Sequence, residues 1–303
     1  MNNAHQEAIK QFMSLMENVD DRMKGTFQNM HHGYPAETLV RFLKARNWNV
    51  QKGHKMLIDC LHWRIQNEID NILAKPIIPT DLYGAVRDSQ LVGLSGYSKE
   101  GLPIIAIGVG LSTFDKASVN HYVRSHIQMN EYRDRVVLPT ATEKSGRHIS
   151  SCLKVLDMTG LKLSVLNQRK TVKPLLQERT KGKIQVLQGC GRDELLKIMD
   201  YSSLPHFCRK EGSGSSRHSS NGTIDNCFSL DHTFHQQFYN YLKQQATLIE
   251  TGLRIKQGSI HVDFPEPDPQ DTKIAETIEC EFHRLADQNG LCNSLNGLKV
   301  NRD

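Results

Sequence analysis

His148-Ile-Ser-Ser-Cys-Leu-Lys-Val-Leu-Asp-Met-Thr-Gly160 decides the fold. Its β-rich apolar run closes on Asp157 and Gly160, as a buried strand feeding a crossover does. A parallel neighbour then needs a connection of a dozen or more residues, normally a helix packed on the sheet. Leu161 to Val172 barely reaches that length before Lys173-Pro-Leu-Leu176 opens another helical stretch. A second strand is predicted at Lys183-Ile-Gln-Val-Leu187, followed by a Gly189-Cys-Gly191 turn and a short helix from Asp193 to Met199. Upstream, Leu91 to Leu94, a Tyr97 to Gly101 turn and Leu102 to Gly108 predict a hairpin. Val119, Tyr122, Val123, His126, Ile127 and Asn130 then keep helical spacing, predicting a helix to about Val137 that covers one sheet face. Strands alternating with helices make the chain α/β.

The first eighty residues read differently. Ile9, Phe12, Met13, Met16 and Val19 recur at helical spacing, Ala36 to Arg46 forms a second short helix, and Asn49 is placed to cap a third. Pro76 and Pro79 close that unit. The organisation expected is a helical lobe over residues 1–80, an α/β domain over 81–210, a Gly/Ser linker over 211–224 and a helical extension over 225–303. In that extension Asp231 is placed to cap a helix, and Ile274, Ile278, Phe282 and Leu285 line another.

Composition excludes more than it selects. A balance of 38 Lys and Arg against 33 Asp and Glu gives +5, too small to announce nucleic acid but compatible with an anionic membrane surface. The charge is concentrated: between Leu161 and Gln185, Lys162, Arg169, Lys170, Lys173, Arg179, Lys181 and Lys183 face Glu178 alone. Seven widely spaced cysteines without a C-x-x-C fit a reducing cytosol better than a disulfide or zinc framework. No apolar run is long enough to span a bilayer, so membrane contact is expected to be peripheral. Gly108-Val-Gly110 lacks the third glycine of a dinucleotide loop. His31 and His32 are adjacent, and His121 and His126 lie five apart, so neither pair is set for a metal on one helix face. No nucleophile, base and orienter can be assembled, and no cofactor is expected.

An ordered set of motifs carries a resemblance. Phe42-Leu-Lys-Ala-Arg46, Trp63-Arg64, Gly101-x-Pro103, Val155-x-Asp157-x-x-Gly160, Lys173-Pro-Leu-Leu176, Asp193-Glu-Leu-Leu-Lys197 and Leu204-Pro205 resemble the CRAL-TRIO lipid-binding proteins, and most of all their phosphatidylinositol/phosphatidylcholine transfer branch. The resemblance implies a helical N-terminal lobe, a mixed sheet flooring an apolar lipid pocket, and a lid helix that opens at a membrane. It implies a non-enzymatic phospholipid carrier: monomeric, cytosolic, transiently at Golgi or other internal membranes, with phospholipid as cargo. Carried over residue by residue, lipid-binding positions fall on Arg46, Asn47, Cys152, Lys154, Arg192 and Asp193. Asn47 stands where the phosphatidylinositol binders carry a basic residue, which predicts a lowered preference for that headgroup. Arg169, Lys170 and Lys173 are the expected membrane contacts.

One departure concerns the opening stretch. The family places a long helix, a Tyr-Pro-Glu turn and a central strand between the Asp-x-x-Gly strand and the Lys-Pro-Leu-Leu helix, and a block of about 35 residues, a crossover's worth, is missing near residues 168–171. The sheet is therefore expected to be incomplete and lipid exchange weakened. The alternative is a soluble interaction module that scaffolds a partner without exchanging lipid.

Overall fold

The computed structural model describes residues 3–77, 79–160, 183–209 and 226–251. They divide between two compact units: residues 1–76 with the end of the last described helix from Tyr241, and residues 77–240.

The first unit is helical: α1 (Asn3–Glu17), α2 (Asp21–His31), α3 (Pro35–Ala45), α4 (Val50–Gln66) and a 3₁₀ turn (Ile69–Ala74). Ala8, Phe12 and Met16 repeat every fourth residue on α1 and meet Leu39, Leu43, Leu57 and Leu61 of α3 and α4 in one core. Each such Leu, Phe or Met side chain contributes about 1.5–3 kcal/mol when fully buried. Gly53 sets the approach of α1 to α4, because a Cβ there would stand 3.3 Å from the Phe12 ring. Asn49 caps α4 through Lys52 N–H at 2.9 Å. Asp20 does the same for α2 through Met23 N–H at 2.9 Å, a helix that the polar composition around Gly25 conceals. Asp70 clamps the unit, accepting two hydrogen bonds from Arg64 (2.8 and 3.2 Å) and one from Asn29 (2.9 Å).

The second unit opens with α5 (Thr80–Ser89), which sequence periodicity does not reveal, and then builds the sheet from β1 (Val92–Tyr97), β2 (Pro103–Gly108) and β3 (Leu153–Asp157). β1 pairs antiparallel with β2, with a bulge between Leu94 and Gly96; β2 pairs parallel with β3, Ile104 opposite Leu153. The crossover is α6 (Val119–Tyr132), a π turn (Arg133–Val137) and α7 (Leu138–Ser145). Pro139 accounts for the wide turn: its ring crowds the carbonyl four residues back and it offers no N–H. The helix starts at Val119; upstream of it, Ser112 Oγ accepts Leu91 N–H (3.0 Å) and donates to the Gly108 carbonyl (2.7 Å).

The sheet is mixed and small, three strands in the order β1-β2-β3 among the described residues. The predicted strand at Lys183 to Leu187 is corrected: no strand forms there. Five residues of strand propensity do not make a strand without a neighbour to take their backbone groups. Ile184 and Val186 are 47% and 87% exposed. Leu187 packs on the same core as Leu153 and Val155. Beyond it lie α8 (Arg192–Ile198), the 3₁₀ turn Tyr201–Ser203, α9 (His206–Arg209) and α10 (Thr233–Glu250). The predicted helix over Ile274 to Leu285 lies outside the described residues.

Candidate functional site

The two faces of the sheet have separate jobs. Ile104 and Ala106 of β2, with Leu153 and Val155 of β3, turn to a core completed by Leu91, Met199, Leu204, Phe207 and Phe228. The alternate residues form the other face, where Ile105 is opposite Lys154 and Ile107 opposite Leu156. Leu156 is 49% exposed and Lys154 is exposed beside it, so this face is an apolar floor left open at its β3 side.

Cationic groups border it. Lys154 forms no ion pair among the described residues. His126, on α6, lies within reach of its charge: burial lowers the imidazole's proton affinity, and the charges of Lys154, Arg87 and Arg133 lower it further. Arg133, in the π turn, donates to Asp134 Oδ1 (2.7 Å) and Asn130 Oδ1 (2.9 Å). Burial opposes its charge, but the hydrogen bond and charge of Asp134, then Cys152 and Glu131, hold its pKa above the ordinary value. An apolar floor beside Lys154 and Arg133 suits an amphiphile with an anionic or zwitterionic head.

Of the positions named from sequence, Arg46 and Asn47 belong to the first unit and the other four to the second. Arg46 ends α3 and donates to the Ala45 carbonyl at 3.1 Å; Asn47 follows in a left-handed conformation, φ 53°, and both are exposed. Cys152, half-buried, precedes β3, and Lys154 lies on it. Arg192 begins α8, stacks 5.4 Å from the Tyr201 ring centroid and donates to the Arg209 carbonyl at 3.5 Å; Asp193 beside it is exposed. Arg169, Lys170 and Lys173 lie outside the described residues. Sequence reasoning missed Arg133 and weighed His126 only as a metal ligand. The alternation Ile105, Ile107 against Lys154, Leu156 was the available signal.

Residues 8–59 match the model of the CRAL/TRIO N-terminal domain. The phosphatidylinositol/phosphatidylcholine transfer protein SFH9 of Arabidopsis thaliana is 28% identical over 221 residues, covering 58% of this chain and 38% of that protein. SFH11, named likewise and from the same plant, is 26% identical over 243 residues, covering 67% and 62%. The chain is thus similar to the CRAL/TRIO N-terminal domain over residues 8–59 and, at 26–28% identity, to these two transfer proteins. It spans less than two thirds of the length of these relatives.

The geometry that most resembles catalysis points away from it. Cys227 Sγ lies 3.5 Å from His206 Nδ1, and the Asp157 charge reaches the ring. Burial pushes the Cys227 thiol up to about 12, while burial and then the Arg209 charge press His206 down to about 4. An activated thiolate–imidazolium pair needs both shifts reversed. Among the described residues, no group of three or more His, Cys, Asp or Glu is placed to hold a metal, and no helix is long and apolar enough to cross a membrane.

Proposed function

We propose that this chain binds phospholipid and carries it between membranes, as the names of its relatives describe for them. The observation that supports this is the sheet face left open on its β3 side, where Leu156 is half exposed beside Lys154 and next to buried Ile105, with His126 and Arg133 at its border. Acyl chains gain about 0.8 kcal/mol per CH₂ on leaving water, so an apolar floor holds the tails while the cations meet the phosphate. The basic run with Arg169, Lys170 and Lys173 brings the chain to anionic cytosolic membranes, those of the Golgi among them, at about 1 kcal/mol per basic residue near the surface. Asn47 lowers the preference for phosphatidylinositol.

Retention is weak in this reading, because β3 has a strand neighbour on one side alone among the described residues. The test is extraction of purified protein after incubation with mixed phosphatidylcholine and phosphatidylinositol vesicles, bound lipid being quantified by mass spectrometry. Less than one phospholipid per chain is expected, falling further in Leu156→Asp. Stoichiometric lipid unaffected by Leu156→Asp would overturn both the weak retention and the floor.

The same free edge supports a second reading, an interaction module without lipid exchange. Absence of any lipid transfer between vesicles, together with capture of vesicle-free protein partners through β3, would favour it.

A further inference from the structure

α5 buries a cation that no carboxylate accompanies among the described residues. Arg87 is 1% exposed. Its Nη1 donates to Ser125 Oγ at 2.6 Å and its Nη2 meets the thioether of Met129 at 3.5 Å, a weak acceptor. Its Nε–H has no partner, and the Phe238 ring of α10 lies 5.7 Å from the guanidinium carbon. Tyr83 is one helical turn earlier on the same face, 5% exposed, and its hydroxyl is also without a partner. Tyr239, next to Phe238, brings its ring 5.0 Å from that of Tyr83. The neutral groups at hand are already engaged: Ser125 Oγ donates to Gln90 Oε1 at 2.9 Å, and Ser89 Oγ is shared with Tyr122 at 2.6 Å.

Burial without a counter-charge lowers the guanidinium to about 10. Its field also contributes to holding His126 and His235 below their ordinary values, after burial in both cases. A buried cation is stable when an anion meets it and costly when none does. The planar fork of an arginine matches two oxygens of one oxyanion, and a tyrosine hydroxyl alongside supplies a donor for a third.

We propose that Arg87 and Tyr83 form an internal oxyanion site between α5 and the start of α10, which takes a phosphate group. The phosphate exchanges the Phe238 ring for an ion pair, so binding swings Phe238 and Tyr239 aside. Either a free phosphate or the phosphodiester of a lipid headgroup has the required oxygens. The site does not rest on the lipid-carrier reading, since inorganic phosphate alone can fill it.

The experiment follows the thermal midpoint of the full chain as inorganic phosphate replaces chloride at fixed ionic strength, with short-chain phosphatidylcholine in a parallel arm. The wild-type midpoint is expected to rise saturably in at least one arm. A rise with phosphate identifies the free ion, and a rise with the lipid alone identifies the phosphodiester. Arg87→Met is expected to unfold at a higher temperature than wild type without ligand, because the unpaired charge is gone, and to respond in neither arm. Should Arg87→Met fail to fold, Tyr83→Phe is expected to need several-fold more ligand and Phe238→Leu several-fold less. No saturable rise in either arm, the same rise in Arg87→Met, or unchanged responses in both other variants would overturn the site.

Discussion

The helical unit and the sheet unit solve the same problem with different resources. Each helix of residues 3–74 satisfies its own backbone and asks its neighbours only for apolar contact, which Phe12, Leu39, Leu43, Leu57 and Leu61 provide at or near zero exposure. A strand cannot do this alone. Among the described residues β3 draws one ladder of hydrogen bonds, from β2, and its Leu156 is half exposed on the sheet face. A sheet depends on the crossover that delivers each parallel strand, whereas helical packing does not.

The largest test is Phe12→Ala, expected to cost about 3–5 kcal/mol in urea unfolding because the residue is fully buried in the helical core. A cost below about 1 kcal/mol would mean that this core is as loosely built as the open sheet face.

Gly93→Ala comes next. On β1 a Cβ at this position would sit 1.8 Å from the Cys227 carbonyl oxygen, so the segment around Cys227 must shift. The expected cost is about 1–3 kcal/mol, with faster hydrogen exchange near Cys227. Wild-type exchange in the variant would show that this segment yields freely.

A pH series separates the units further. Burial, then the Arg87 charge, presses His235 to about 3, and burial, then the Arg209 charge, presses His206 to about 4. Both stay neutral in the fold, whereas the unfolded chain protonates them near 6.5. Below that pH the unfolded state binds more protons. Stability is thus fully present above about pH 6.5 and falls as pH drops toward the folded values, by up to about 1.4 kcal/mol per pH unit for His235. Urea midpoints between about pH 7 and 5 should fall less steeply in His235→Gln; equal slopes would locate the proton uptake elsewhere.

The smallest effect is expected from Leu156→Thr, within about 0.5 kcal/mol, since half of that side chain already meets water. Lipid uptake is the readout that should move. A stability loss rivalling that of Phe12→Ala would show the open face to be part of a core.

What sequence could reveal follows the same division. The core stripes of α1 and α4 were legible because one helix carries its own period, and Asn49 was legible as a cap because capping is local. α5 was hidden by Pro79, which reads as chain punctuation although it only precedes the first turn. Lys183 to Leu187 misled because strand propensity describes fit to a pleated neighbour, and none is formed. At the candidate site Lys154 and Cys152 came through the family resemblance. Arg133 could not, since its place depends on where a π turn leaves the chain as it crosses back to β3.

The parallel pairing of Ile104 with Leu153 also governs time. β1 and β2 are hairpin neighbours and can zip locally, but β3 must wait until α6 and α7 have been made and folded back. On a chain emerging from the ribosome, the helices of residues 3–74 are already made while Ile105 and Ile107 still lack a flank. That interval is the window in which a chaperone has most to protect.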